Sequence, residues 1–269
     1  MGIRTSYPPG VFNWVELATT DPEPAKRFYG ELFGWSADDV AVPEAYGGGV
    51  YTVLRLAGDE VAGLQAQPEA QREAGVQPHW LSCVAVTDAD ATAARVAELG
   101  GTVLTAYDVM TRARMAILAD PSGAFFGAWQ AGDRFGAARV NDPGCLTNNE
   151  LSTDDVDRAS DFYGSLFGWR IEEVDTQGGP RYWSIRHEGA AGGGLNGGTR
   201  ELAPDGSGGP PHWMPYFTVV SVDTAVETAT AAGGTVLAPP MSIGPTARIA
   251  VLADPQGAVF AIFQGPIDD

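Results

Sequence analysis

Apolar positions along the chain switch between two periods. Ala25, Phe28, Tyr29, Leu32 and Phe33 recur at steps of three and one, which lays them on one face of a helix. Asp21 stands where an N-cap belongs and Pro22 where the first helical residue belongs; Gly34 supplies the stop. Strand-like runs flank this helix: Asn13–Ala18 before it, Val50–Leu56 and Glu60–Gln65 after it. The pattern then restarts. His79–Val86 reads as a strand, Asp88 or Asp90 caps a helix through Leu99, and Gly100 and Gly101 end it. Strands follow at Thr102–Leu104, Met115–Ala119 and Ala124–Gln130. The implied unit is β-α-β-β-β, twice in the first half of the chain.

The second half repeats the first. Glu16–Trp35 matches Glu150–Trp169 at 12 of 20 positions, and Ile117–Gln130 matches Val251–Gln264 at 8 of 14, both at an offset of 134. Two shorter matches, PHW at 78–80 with 211–213 and GGTVL at 100–104 with 233–237, hold an offset of 133. A register kept this closely over the whole length indicates duplication of one domain. The expected domains are therefore 1–134, with modules at about 10–70 and 76–131, and 135–269, with modules at about 145–200 and 210–265. Their join lies in the polar, Gly-rich Ala131–Gly144. Asp155 caps the helix equivalent to the first, with Val156, Ala159, Phe162, Tyr163, Leu166 and Phe167 on its apolar face. Gly198–Pro211 reads as a surface connector, with a lid as the alternative.

Composition narrows the function. Lys+Arg 16 against Asp+Glu 34 leaves a net charge of −18, which repels phosphate backbones and anionic lipid, so neither nucleic acid nor membrane is an expected partner. Cys83 and Cys145 form no metal-binding pair motif, and a reduced, cytoplasmic setting is expected. The N-terminal MGIRTSYPPG lacks the apolar run of a signal peptide, and no apolar stretch reaches the ~18 residues of a membrane span. No nucleophile elbow, P-loop or dinucleotide fingerprint occurs; Gly47–Gly49 and Gly192–Gly194 lack the following helix that a phosphate cradle needs.

The D-x-x-x-A-x-x-F-Y-x-x-L-F-G-W helix, the PHW strand start, the GGTV turn and the LADP-x-G-A-x-F run together resemble the vicinal oxygen chelate superfamily of glyoxalases, bleomycin-resistance proteins and extradiol dioxygenases. Within it the chain looks most like doubled, actinobacterial glyoxalase-like proteins, some labelled hydroxylases and some accompanying antibiotic pathways. The resemblance implies an α+β fold: four βαβββ modules in two tandem domains, each a cup-shaped mixed sheet with helices outside. It also implies a ligand inside the cup and, in the enzymes, a divalent metal on four His, Glu or Gln side chains from the first and last strands of each unit.

Those positions carry other residues here. Seven residues before the capping aspartates stand Trp14, Leu81 and Asn148, and Met214 is the repeat equivalent of Leu81; seven after the aspartate of each DPxG turn stand Gly127 and Ala261. Apart from the asparagine oxygen, none offers a donor to a divalent metal. No metal or other cofactor is therefore expected, with a divalent metal as the alternative. Gln65 and Asn196 are the nearest polar candidates on the fourth strands. Glu16 and Glu150, two beyond the first position, and His79 and His212, two before the third, share their strand faces and could make a non-standard site; hydrogen-bonded structural roles are the alternative. His187 precedes a turn and reads as exposed, Cys83 as core.

Bulk and aromatics replace the missing ligands: Trp14, Trp80, Trp129, Trp183, Trp213 and Phe263, against Trp35 and Trp169 as core. Aromatic walls with a few polar groups suit a flat apolar molecule. The expected ligand-binding set is Trp14, Glu16, Gln65, His79, Leu81, Trp129, Asn148, Glu150, Trp183, His212, Met214 and Phe263. The favoured reading is metal-independent binding of a small aromatic or apolar metabolite or antibiotic, in sequestration, resistance or transport. The alternatives are a glyoxalase-like lyase, isomerase or oxygenase, with Glu16, Glu150 and Tyr51 as candidate acid/base groups, or an assembly module with an empty cup. A monomer or homodimer is expected. Trp14 against Asn148 also implies that the two cups do not bind the same thing.

Overall fold

Alternation and helical period translate directly into the computed structural model, which describes residues 2–267 apart from 177, 204 and 207. The first half runs β1 (Phe12–Thr19), α1 (Pro22–Phe33), β2 (Ser36–Ala41), β3 (Val50–Leu56), β4 (Asp59–Ala66), α2 (Glu69–Glu73), β5 (His79–Val86), α3 (Ala89–Glu98), β6 (Thr102–Val109), β7 (Ala113–Ala119) and β8 (Phe125–Ala131). The second runs β9 (Leu146–Thr153), α4 (Val156–Phe167), β10 (Arg170–Val174), β11 (Tyr182–Arg186), α5 (Ala191–Gly194), β12 (Leu195–Glu201), β13 (His212–Thr218), α6 (Val222–Ala231), β14 (Thr235–Ile243), β15 (Ala247–Ala253) and β16 (Val259–Gln264).

Each half closes its own eight-stranded sheet, in the orders β2-β3-β4-β1-β5-β8-β7-β6 and β10-β11-β12-β9-β13-β16-β15-β14. Two βαβββ modules meet in each sheet where their first strands pair antiparallel, β1 with β5 and β9 with β13. The first strand of each module also pairs parallel to the last, so the sheets are mixed. The helices begin and end as the sequence implies. The Asp88 and Asp155 carboxylates accept from Ala91 N and Arg158 N, each at 2.9 Å. Asp21 takes the extended N-cap backbone without that side-chain bond. Gly34 and Gly168 end α1 and α4 at φ 76° and 72°, where a side chain would strain the backbone.

Helices α2 and α5 and strands β2 and β10 were not expected, and β6 runs to Val109 rather than Leu104. Strand β2 was not visible in the pattern because its sequence, SADDVA, is polar and exposed on the sheet edge. Gly198–Glu201, read as the start of a connector, belong to β12. Gly198 sits within a strand because the Tyr182 hydroxyl lies 1.8 Å from where a Cβ would stand; Gly63 makes the same room, at 2.1 Å, for Tyr51.

The helix-bearing faces of the two sheets pack against each other. One buried cluster joins Val15, Leu17, Phe28 and Tyr29 of the first half to Val222, Ala225, Phe260 and Ile262 of the second; another joins Val84, Val96, Leu118 and Phe126 to Ala159, Phe162 and Tyr163. Each contains a crossed hydrogen-bond chain. Trp80 Nε1 donates to the Tyr29 hydroxyl at 3.0 Å, which donates to Asp254 Oδ2 at 3.0 Å; Trp213 Nε1 donates to Tyr163 at 2.8 Å, which donates to Asp120 Oδ2 at 3.0 Å. The other oxygen of each aspartate holds its own turn, through Ser122 N and Ala124 N or Gln256 N and Ala258 N. The tyrosine of one half is thus bound to the DPxG aspartate of the other, in both directions.

The tryptophans behave by parity. Trp80 and Trp213 were expected to wall the cups, but they lie one residue off the cup-facing positions and point into the inter-sheet core. Trp35 and Trp169 are core as expected, donating to Gly144 O and Gly10 O, each at 2.7 Å. Asn196, a candidate cup residue, is also a tie between halves: it donates to Gly10 O at 3.0 Å and accepts from Phe12 N at 3.2 Å. His187 is half-buried rather than exposed, its Nδ1 accepting from Gly189 N at 3.1 Å.

Tyr29→Phe and Tyr163→Phe each strand a buried carboxylate oxygen and a buried indole N–H. Each is expected to lower unfolding free energy by about 1–3 kcal/mol in urea titrations. Loss in only one of the two variants would contradict the reciprocal arrangement.

Candidate functional site

The faces opposite the helices are the cups, and strand parity decides what lines them. In the first, Trp14 and Glu16 of β1, Tyr51 of β3, Gln65 of β4, Leu81 and Cys83 of β5, Met115 of β7 and Trp129 of β8 converge. Trp14 and Trp129 are each 1% exposed and their rings lie 5.9 Å apart. Gly127 admits this packing, since a Cβ there would stand 2.5 Å from Cys83 Sγ. The join between the halves crosses over the top. Ala137 N donates to Asn13 O at 2.8 Å and Ala138 N to Glu60 O at 2.7 Å, and Tyr7 donates to Ala137 O at 2.8 Å. The first cup is a filled and covered core.

A polar network lies within it. Tyr51 donates to Glu16 Oε2 at 2.9 Å and accepts from Trp14 Nε1 at 3.3 Å; Gln65 Nε2 donates to Glu16 Oε1 at 2.7 Å. The sequence candidates Trp14, Glu16, Tyr51 and Gln65 are therefore brought together. Burial pushes the Glu16 carboxyl up to about 7, against the opposing pull of the Tyr51 hydrogen bond and the Arg112 charge.

The second cup repeats the layout with different fillings. Strand pairing sets Glu16 opposite Gly63 and Glu150 opposite Gly198, so Gln65 corresponds to Arg200. Arg200 Nε donates to Glu150 Oε1 at 3.0 Å, and Tyr182 and Tyr216 are hydrogen-bonded to the same carboxylate. Asn148 is hydrogen-bonded to Tyr182. Burial raises the Glu150 carboxyl above the usual carboxylate range, opposed by Arg200 and the two hydroxyls. Met214, Tyr216 and Ala261 form the apolar floor, with Ile249, Val251 and Phe263 against it. Asn148, Tyr182, Arg200, Ile249, Val251 and Phe263 are all only partly buried, and Met241 stands 43% exposed opposite Ile249 on the neighbouring strand. This face is open where the first is closed.

Other candidates fall outside the cups. Trp183 is the correction of most consequence. Its neighbour Tyr182 takes the cup-facing position, so Trp183 faces the other way, beneath the Arg181 guanidinium 4.5 Å from its ring. His79 and His212 lie at strand starts, their Nδ1 atoms 2.9 Å from Gln77 O and 2.8 Å from Pro210 O, and neither is bonded to a glutamate. Tyr182, Tyr216 and Arg200 were missed; aligning β11 and β12 with β3 and β4 would have found Tyr182 and Arg200. Among the described residues, no three His, Cys, Asp or Glu side chains group as metal ligands, and no helix is long and apolar enough to cross a membrane.

The family profile described as glyoxalase/bleomycin resistance protein/dioxygenase superfamily matches residues 11–126 and 146–262. The chain belongs to this superfamily. It is 41% identical over 262 residues to CFP32 of Mycobacterium tuberculosis, by name a glyoxylase, covering 97% of each chain. It is 35% identical over 272 residues to the anthracycline biosynthesis protein DauV of a Streptomyces species, covering 97% of this chain and 95% of that one. Among solved structures, the Mn(II)-bound glyoxalase from Novosphingobium aromaticivorans superposes with a TM-score of 0.63 at 15% identity, over 98% of this chain and 85% of that chain. The 2,3-dioxygenase LapB from Pseudomonas sp. KL28 gives 0.64 at 14% identity, over 99% and 95%. At such identities the likeness is one of fold.

Glu16 binds its proton more tightly folded than unfolded. The stability this contributes is fully present below about pH 4.5 and is lost as pH rises through about 7. Glu16→Gln cannot ionise, so its stability relative to the parent is expected to climb between pH 5 and 8, by up to ~3 kcal/mol. Parallel denaturation profiles over that range would contradict the burial argument.

Proposed function

We propose that this chain binds a flat aromatic small molecule against the open face of its second cup, without a metal. The observation that carries the reading is the exchange of fillings between the cups. Trp14 and Trp129 occupy the first cup; Asn148 and Phe263 leave the second partly exposed, with Met214, Ile249 and Val251 as an apolar bed and Phe263 as a stacking surface. Asn148, Tyr182 and Arg200 supply the few polar contacts that orient a ligand. The relationship to anthracycline biosynthesis proteins supports a fused-ring aromatic metabolite as the ligand class.

The metal-free part of the proposal rests on the donor set. A divalent ion is what the superfamily's enzymes would use, but the cup-facing positions hold Trp14, Leu81 and Gly127 in one half and Asn148, Met214 and Ala261 in the other. The remaining carboxylates are already engaged. Glu150 is paired with a guanidinium that repels a cation, and Glu16 lies under a covered core between Tyr51 and Gln65. These residues do not fit the metal.

A second reading follows from Glu150 itself. A carboxyl raised by burial and bonded to two tyrosines, one of them partly exposed on the cup face, is equipped to accept and return a proton, as a lyase or isomerase requires. Turnover abolished in Glu150→Gln with binding retained would select that reading.

Saturable binding of 1,4-dihydroxyanthraquinone, followed by its own fluorescence, is the expected result. Asn148→Trp, which copies the filling of the first cup, should weaken it by about tenfold or more, whereas Trp14→Phe should leave it unchanged. Binding should survive chelator. Near-stoichiometric zinc, iron, manganese or nickel in protein purified without chelator, with binding lost on its removal, would overturn the proposal.

A further inference from the structure

Three guanidinium groups converge on one carboxylate at the rim of the first cup. Arg55 Nη2 lies 3.0 Å and Arg134 Nε 3.3 Å from Glu60 Oε1; Arg112 Nη2 lies 2.6 Å from Glu60 Oε2. Glu60 is buried, its side chain 9% exposed. Arg55 also has its own counter-ion, Asp38, at 2.5 Å. Among the described residues, Glu60 is the only carboxylate ion-paired with Arg112 or Arg134, and it is shared by both, while the Arg112 charge also acts on Glu16 deeper in the cup.

Hydrogen-bond capacity is left over. Arg112 Nε is buried and has no partner, while the guanidinium rests 5.9 Å from the Tyr51 ring. Arg134 is half exposed, and its Nη1 reaches only its neighbour's carbonyl, Asp133 O, at 3.2 Å. The fold does not demand this cluster. In the second half, register places Leu195 where Glu60 stands, and Thr246 precedes β15 as Arg112 precedes β7. A chain of net charge −18 repels anions at long range, so three guanidinium groups gathered on one carboxylate are unusual on it.

We infer that Arg112 and Arg134, flanking Glu60, form a site for a small oxyanion, a carboxylate or phosphate group. A planar guanidinium presents paired donors that match such a group, and Arg134 is open to water where the anion would enter. The site stands apart from the second cup and does not depend on what binds there.

Thermal unfolding at fixed ionic strength, maintained with chloride, tests this. Sodium phosphate and sodium acetate are titrated separately. At least one is expected to raise Tm by about 3 °C or more in a saturable way. Protection by one and not the other identifies the group as phosphate or carboxylate. Arg134→Gln is expected to raise the half-saturating concentration by about tenfold, and Arg112→Gln to abolish the shift. Glu60→Gln removes the resident negative charge and should lower it by about tenfold. Because Arg112→Gln and Glu60→Gln disturb partly buried groups, the exposed Arg134→Gln serves as the variant that keeps the core intact. No protection beyond that of chloride, the same titration in Arg134→Gln as in the parent, or weaker anion binding in a folded Glu60→Gln would each overturn the inference.

Discussion

The structure depends on the crossed bond between a tyrosine of one half and an aspartate of the other. Tyr29 reaches Asp254 and Tyr163 reaches Asp120, each tyrosine also receiving an indole N–H from its own half. All these groups are buried, so an unpaired member would carry the full cost of its lost hydration. The aspartates simultaneously shape the turns that start the last strands, β8 and β16. A single motif therefore sets the turn, the sheet and the contact between sheets. It also fixes which faces are spent on the core. With the helices between the sheets, both cups are left facing outward.

From that shared scaffold the cups diverge through a few side chains. Trp14 against Asn148, Trp129 against Phe263 and Gln65 against Arg200 change the first hollow into packed core and the second into an open apolar bed with a polar edge. The join between the halves completes the difference, because it is hydrogen-bonded across β1 and β4. The glutamate on the first strand is kept in both cups, and it meets two environments. Glu16 has neutral donors around it and rises to about 7, while Glu150 is held by a guanidinium and two hydroxyls and remains raised by burial. The same buried residue type is held by neutral donors in one half and by a partly exposed guanidinium and tyrosine in the other.

Much of the fold was legible because two periodicities and a repeat overlapped. The step pattern from Ala25 to Phe33 has no strand reading, and the 134-residue offset fixed the duplication. Cup-facing residues such as Glu16, Leu81, Asn148 and Met214 followed from counting along strands from capping aspartates. What failed was parity at aromatic pairs. Trp80, Trp213 and Trp183 each sit one residue away from a cup position, and composition cannot tell inward from outward. Strand β2 was invisible because an exposed edge strand needs no apolar face. Two of the partners of Glu150, Tyr182 and Arg200, were hidden for a further reason: they come from β11 and β12, whose alignment to the first half is set by strand pairing rather than by residue identity. The crossed Tyr–Asp bonds are non-local, linking positions 225 and 43 residues apart.

The most direct measurement of the central claim, that the second cup is the ligand face and the first is core, is amide hydrogen exchange with and without a saturating anthraquinone. The account predicts slowed exchange concentrated in β9, β11, β13 and β16, with β1, β5 and β8 unchanged. Protection confined to β1, β5 and β8, with β9 and β13 unaffected, would contradict it.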